Sequence, residues 1–308
     1  MSRRRVLGRI EDWTARAPLF VLGPTGTGKT ALALAEVQRR FPDRLKWPLL
    51  ISLDSVAVYR GLDIGSSKPL GVEREPYDWA ALDWVDVQNR VSAFDYVEHV
   101  TPLLRQARSA DRPVLIVGGS HFYEKALVDG MSPGGPSDPA FINQLSQMGG
   151  AELKRRLVEV DVRWNSKVHE NDRYRLHRFS DLTLRQGLSF DDLFGAERIG
   201  GLPEVELVVV GMDLKAVELD QRLSLRIDGM FASGWLEEVD RLLAAGVPPD
   251  APGLQTVGYR EVTDYLLSGR SGPIEDLKTR ILESHRQLVK KQKTWLRGLL
   301  RGLDQSPA

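Results

Sequence analysis

The sequence predicts an α/β protein: a P-loop doubly wound parallel sheet that carries a helical insertion and a helical C-terminal region. Three observations predict it. Short, continuous apolar runs alternate with helix-like stretches, a glycine-rich octapeptide joins the first run to the first helix, and a long polar stretch separates the third run from the fourth. Apolar strands without polar alternation, separated by helices, are the pattern of a parallel sheet covered on both faces.

The elements follow in order. Leu19-Phe20-Val21-Leu22 reads as a buried strand, the glycine-rich turn follows, and Lys29 to Arg40 reads as a helix. A second run, Pro48 to Leu53, ends in Asp54, and a third, Pro113 to Val117, ends in Gly118-Gly119. The fourth, Leu207 to Val210, leads through Gly211-Met212 to Asp213. Between the third and fourth runs, Pro139 to Gly195 looks helical, with Leu145, Leu153, Leu157, Val160 and Trp164 spaced among charges. Met131 to Pro139 is rich in Pro and Gly and reads as the junction into it. The expected organisation is a first core part at 1–138, a helical insertion at 139–195, and a return to the core with a basic helical region at 196–308. No internal repeat interrupts this order.

Composition sets the outer bounds. With 308 residues, 42% hydrophobic and 27% charged, the chain has the makings of an ordinary globular core. Its 42 basic and 42 acidic residues cancel, so only local clustering of charge speaks for a nucleic-acid partner. The absence of cysteine excludes disulfides, thiolate metal sites and a thiol nucleophile in this sequence. The basic start Met1-Ser2-Arg3-Arg4-Arg5 runs into Arg9, Glu11 and Asp12 rather than an apolar signal core. The apolar runs fall far short of the ~20 residues of a membrane helix. A cytoplasmic, monomeric protein without membrane contact is expected.

Gly23-Pro24-Thr25-Gly26-Thr27-Gly28-Lys29-Thr30 fits G-x-x-x-x-G-K-[ST], the phosphate loop of nucleotide- and ATP-binding proteins, in the required strand–helix setting. Its glycines let backbone N–H groups turn inward, the helix N-terminus adds partial positive charge, Lys29 neutralises phosphate oxygens, and the Thr30 hydroxyl is suited to Mg²⁺. The motif specifies diphosphate binding, not a reaction. Asp54 stands at a strand end, where such sheets place their ligand crevice, although an Asp there also serves as a turn former. Ser120, after Gly118-Gly119, offers a hydroxyl at the third strand end or caps the next helix. Arg175 and Arg178 share a helix face suited either to phosphate or to solvent. Lys278 to Arg301 holds Lys278, Arg280, Arg286, Lys290, Lys291, Lys293, Arg297 and Arg301 around one acid, Glu283. Such segregation in a neutral chain is a nucleic-acid footprint or a solubilising face.

Taken together these pieces resemble the tRNA dimethylallyltransferase family over nearly the whole chain. The resemblance rests on the P-loop, Asp54-Ser55, Val58 to Gly65 with Lys68-Pro69, and Gly118-Gly119-Ser120 with Tyr123 and Ala126-Leu127. It continues through His169, Asn171-Asp172, Arg175 and Arg178, Gly258-Tyr259-Arg260-Glu261, and Lys291-Gln292 with Thr294-Trp295. It implies that the P-loop holds dimethylallyl diphosphate rather than ATP. Lys29, Mg²⁺ on Thr30, and Arg175 would stabilise the leaving diphosphate, and Asp54 would take a proton from the exocyclic N6 amine of the adenosine 3′ to the anticodon. Ser120 stands for a threonine near leaving group and base. The tRNA anticodon arm would meet Ser55, Val56, Ala57, Tyr174, Leu176, His177 and Arg178, the insertion, and Lys290, Lys291 and Lys293 of the basic helix.

Four departures bear on RNA recognition: Ala57 replaces a glutamine, Ile142 an arginine and Tyr174 a glutamine, and Tyr77 to Val87 lacks a pair of histidines. Three other readings remain. The first is a P-loop kinase with Asp213 as its metal-linked acid and Asp54 as base. The second is a prenyltransferase acting on free AMP, and the third an inactive RNA-binding descendant.

Overall fold

A computed structural model describes residues 4–195 and 200–304. The basic start at 1–3 and the expected boundary between 195 and 196 therefore fall at or outside the described residues. The chain forms two compact units, Met1–Val128 with Leu202–Ala308, and Asp129–Gly201.

The first unit contains a six-stranded, wholly parallel sheet in the order β1-β6-β2-β5-β3-β4, with strands Arg4–Val6, Leu19–Leu22, Leu49–Leu53, Trp79–Ala80, Val114–Gly118 and Val205–Val209 numbered along the chain. The apolar strands split by alternation into two cores. Phe20, Leu22, Ile51, Leu53 and Ile116 face one, while Leu19, Val21, Leu50, Leu115 and Val117 face the other. Helix α1 (Lys29–Arg40) covers the second core through Ala33, Leu34 and Val37. Helix α2 (Ala93–Ser109), begun by a Ser92–Asp95 capping box, covers the first through Tyr96, Val100 and Leu104, together with Tyr123 and Leu127 of α3 (His121–Asp129). Burial on both sides is why these strands carry no polar alternation.

Two strands escape the sequence pattern. The edge strand β1 is mostly charged, and it pairs with β6 while Arg4 bonds Glu124 and Arg5 bonds the buried Glu206. Strand β4 is two residues long, too short for any periodicity.

The second unit is helical: α4 (Pro139–Ser146), α5 (Gly150–Val160), α6 (Trp164–Lys167), α7 (Arg173–Ser180), a π-helical turn at Asp181–Arg185, and α8 (Phe190–Phe194). Its core gathers Leu145, Leu153, Leu157, Trp164 and Leu176, whereas Val160 is exposed. The unit reaches further than the 139–195 expected from sequence, because the Pro/Gly junction is bonded into it. Gln186 accepts from Gly135 N, and Arg178 and Arg185 donate to the Gly135 and Pro136 carbonyls.

After β6 the first unit finishes in α9 (Ala216–Ala232), α10 (Trp235–Ala244), α11 (Tyr259–Leu267) and α12 (Ile274–Asp304). Helix α12 lies along α9, where Lys278 pairs with Asp228 and Arg286 with Asp220. Among the described residues no helix is long and apolar enough to cross a membrane.

The close approach of β5 and β3 needs glycine at 118: a Cβ there would stand 2.1 Å from the Leu53 carbonyl oxygen. Gly118→Ala should therefore cost roughly 3 kcal/mol, the upper end for overpacking. Chemical denaturation would read this, and an unchanged midpoint would contradict the packing argument.

Candidate active site

The P-loop follows β2 and opens α1. Gly26 and Gly28 take left-handed φ values of 80° and 81°, which lets the loop curl around its own N–H groups. Thr27 Oγ1 and Lys29 Nζ both donate to the Pro24 carbonyl, at 2.8 and 2.7 Å. The ends of β2, β3 and β5 stand side by side in the sheet, so this loop, Asp54 and Gly118-Gly119 border one cavity of about 410 Å³. That lies within the ~300–1,000 Å³ of small-molecule sites. All of its lining belongs to the first unit.

Asp54 combines both roles considered for it. Its Oδ1 accepts from Val56 N at 2.7 Å and Ala57 N at 3.2 Å, forming the turn after β3, and its carboxylate lines the cavity. Val56 and Ala57 line it too, while Ser55 is exposed. Ser120 is tied by its backbone N–H to the Leu53 carbonyl at 3.1 Å, but the lining on that side is Gly118 and Gly119.

Of two further lining residues, Arg226 carried no sequence signal and Gln292 entered only as part of the family resemblance. Arg226, on α9, donates to Thr25 Oγ1 at 3.1 Å and Ser67 Oγ at 2.9 Å. On sequence it reads as one more charge on an amphipathic helix, four residues after Arg222. Gln292, on α12, accepts from Thr25 N at 2.9 Å and donates to the Gly119 carbonyl at 3.2 Å, so one amide joins the P-loop to the end of β5. His285, one helical stretch earlier, lines the same cavity with Nδ1 against the Ile281 carbonyl, and burial lowers its pKa.

The electrostatics are those of an anion site. Burial first, then the neighbouring Arg226 guanidinium, lower the Lys29 pKa to about 8, opposed by Asp54. Burial likewise lowers that of Arg226, again opposed by Asp54. Two desolvated cations and one carboxylate thus share one wall. Thr30 lines the cavity with Asp54, and no cluster of three His, Cys, Asp or Glu able to hold a metal exists among the described residues. A Mg²⁺ ion at Thr30 would therefore take most of its ligands from water and from phosphate oxygens of the substrate, as this ion commonly does.

The expected RNA-facing residues separate. Tyr174 is exposed. Arg175 lies in the second unit, exposed and paired with Asp172 at 2.9 Å. Leu176 is a correction: it is wholly buried in that unit's apolar core, so its side chain is structural. Arg178 is partly exposed, and its Nη1 donates to the Gly135 carbonyl and Ser137 Oγ at 2.9 and 3.0 Å. His177 Nε2 is buried without a hydrogen-bond partner among the described residues. On α12, Lys290 and Lys291 are exposed, but Lys293 donates to the Leu214 carbonyl at 3.0 Å, which anchors the helix. Lys278 and Arg286 are likewise committed to α9, so the free basic face is narrower than the sequence count suggests.

Comparisons with known proteins point to one family. The profile of the family described as IPP transferase matches residues 57–299. The full-length tRNA isopentenylpyrophosphate transferase of Bacillus halodurans superposes with a TM-score of 0.61 at 25% identity, over 92% of this chain and 87% of that one. The tRNA delta(2)-isopentenylpyrophosphate transferase of Staphylococcus epidermidis gives 0.59 at 22% identity, over 91% and 89%. A eukaryotic dimethylallyltransferase acting on tRNA gives 0.74 at 22% identity, over 91% and 70%. The latter two likenesses establish the fold.

The pKa of Lys29 fixes a pH dependence. Affinity for a diphosphate monoester should hold steady between about pH 7 and 8, above the ligand's own last ionisation at about 6, and fall by up to about tenfold per unit above that as the ammonium loses its proton. In Arg226→Gln one cause of the depression is removed, so the fall should begin at higher pH on a lower overall affinity. Calorimetric titration across this range would check it, and an unmoved midpoint would show that the two cations are not coupled.

Proposed function

From the premise that this chain belongs to the IPP transferase family, we propose that it transfers a dimethylallyl group from dimethylallyl diphosphate to the N6 amine of an adenosine in tRNA. The position expected is the one 3′ to the anticodon. The observation that carries the reading is the shared wall of Lys29, Arg226 and Asp54: two cations for a leaving diphosphate, and a carboxylate for the attacking amine.

The amine nitrogen attacks the allylic carbon, the carbon–oxygen bond breaks, and its electron pair leaves with the diphosphate. The negative charge gathering on the leaving oxygens meets Lys29, Arg226 and the N–H groups of the curled P-loop, donors fixed before the reaction begins. Asp54, held at Oδ1 by two backbone N–H groups, takes the proton from N6. Val56, Ala57, Val257 and Leu288 supply apolar surface in the same cavity for the prenyl chain and the base. Mg²⁺ bound through Thr30 would add positive charge against the diphosphate. An adenosine in a stacked loop cannot reach this cavity, so the base must leave its stack. Exposed Lys290 and Lys291 on α12 are suited to the RNA backbone.

The kinase reading loses its acid: Asp213 is exposed and is no part of the cavity lining. Incubation with labelled dimethylallyl diphosphate, Mg²⁺ and unmodified tRNA, followed by nucleoside analysis, tests the proposal. Isopentenyladenosine is the expected product. Prenylation of AMP alone, or phosphoryl transfer from ATP, would replace this reading.

Asp54→Asn should slow prenyl transfer ~10²–10⁴-fold with donor affinity nearly intact, the range for a lost general base; single-turnover kinetics separates the two. A second comparison assigns the arginine of the donor site. Arg226→Ala should weaken both donor binding and turnover, whereas Arg175→Ala should act on the donor only if its resemblance-based role holds. Donor affinity measured without RNA decides between them.

A further inference from the structure

An aromatic cluster beside the cavity has no part in the chemistry above. Phe122, in the first turn of α3, is 61% exposed. The His121 ring lies against it at 3.9 Å between centroids, and Trp295 of α12 follows at 5.4 Å, with interplanar angles of 36° and 34°. Burial lowers the His121 pKa, which leaves the ring uncharged at neutral pH. Trp295 is partly buried, with one side packed against the main core, and Gly298, three residues on, has nothing within 4 Å of where a Cβ would stand.

Position and charge indicate what this cluster meets. His121 is two residues from Gly119, and Trp295 is three from Gln292. Gly119 and Gln292 are bonded to each other and both line the cavity. The rings therefore stand just outside that wall. Lys291 is one helical turn before Trp295, and Lys290, Lys291 and Arg297 are exposed with no ion-pair partner among the described residues. Contiguous rings beside unneutralised cations, next to a cavity suited to a flipped base, match a single-stranded polynucleotide. Bases stack on such rings while phosphates meet the cations.

We propose that Phe122, His121 and Trp295 form a stacking platform for the nucleobase adjoining the target adenosine in the RNA loop. The platform holds the neighbour in place once the target has left its stack. This rests on the RNA-prenylation reading above, and it adds a contact that the diphosphate site does not require.

The test uses the full chain and a synthetic anticodon stem-loop with 5-iodouridine beside the target adenosine. Irradiation without donor should crosslink this base to Phe122, His121 or Trp295, located by peptide mass. Phe122→Ala should lose most of the crosslink and bind the stem-loop about 5- to 150-fold more weakly, the ~1–3 kcal/mol of a base–aromatic stack. Phe122→Tyr should retain both, and donor affinity should be unchanged in either variant, which also reports folding. Crosslinks elsewhere together with unaltered affinity in Phe122→Ala would overturn the platform. So would a dimer that Phe122→Ala dissociates while RNA affinity stays the same. Failure of the wild type to prenylate the stem-loop, with the crosslink intact, would remove the enzymatic reading and keep the platform.

Discussion

The amide of Gln292 sits between the P-loop and the end of β5, accepting from Thr25 N and donating to the Gly119 carbonyl. A glutamine head offers one acceptor and one donor set on the same rigid plane, so it can close both contacts at once. Much else is placed by this bridge. It sets how far apart the two strand-end loops stand, and it orients the middle of α12. The turn that carries Gln292 also carries Lys291 and Trp295, so the exposed Lys291 and the partly buried Trp295 are registered against the cavity. The space is tight: a Cβ on Gly119 would lie 2.5 Å from Gln292 Nε2.

On the other side of the P-loop, Arg226 does the electrostatic counterpart of this work. Its guanidinium is held by Thr25 and Ser67 and depresses the Lys29 ammonium nearby, with Asp54 partly offsetting the strain on both. In the proposed reaction an anionic substrate would relieve this repulsion, and the relief would grow as charge shifts onto the leaving oxygens. Donors positioned and desolvated before reaction act most strongly at that point, since nothing need reorganise. The carboxylate of Asp54 is equally constrained, because the turn it caps fixes its orientation.

Much of this was legible in the sequence, and the illegible parts have identifiable causes. Strands β2, β3, β5 and β6 announced themselves because burial on two faces leaves an unbroken apolar run. Strand β1 did not, because its arginines are matched by acids distant in sequence, Glu124 and Glu206. The P-loop and Asp54 were legible because local geometry and chemistry coincide in a few consecutive residues. Arg226 was not, and Gln292 stood only within a resemblance motif with no role attached: each is a single polar residue on an amphipathic helix, and only the packing of α9 and α12 turns it inward. The family resemblance, which carries no information on helix phase, put Leu176 beside the RNA, whereas its side chain fills a core; Arg178 also ties down a Pro/Gly junction. Counting charges along the sequence likewise overstated the basic face of α12, where Lys278, Arg286 and Lys293 are spent on Asp228, Asp220 and the Leu214 carbonyl.

Two segments that identify the family in sequence, Val58 to Pro69 and Gly258 to Glu261, lie almost two hundred positions apart yet form one bonded structure. The carboxylate of Glu238 accepts from Asp63 N at 3.0 Å, Ile64 N at 2.8 Å and the Tyr259 hydroxyl at 2.7 Å, while that hydroxyl in turn accepts from Ser66 N. Lys68, buried, closes the same loop by pairing with Asp63 and Asp83 and donating to the Tyr59 carbonyl. The loop lines the cavity through Gly65, Ser66, Ser67 and Lys68, and Ser67 receives Arg226. Val58, Tyr59 and Leu62 of this loop are buried in the main core, and Ile64 packs against it. Polar groups that satisfy one another add to this anchoring, and removing Glu238 would leave the buried Tyr259 hydroxyl without its acceptor. Together the two segments hold Ser67, and through it Arg226, against the phosphate loop.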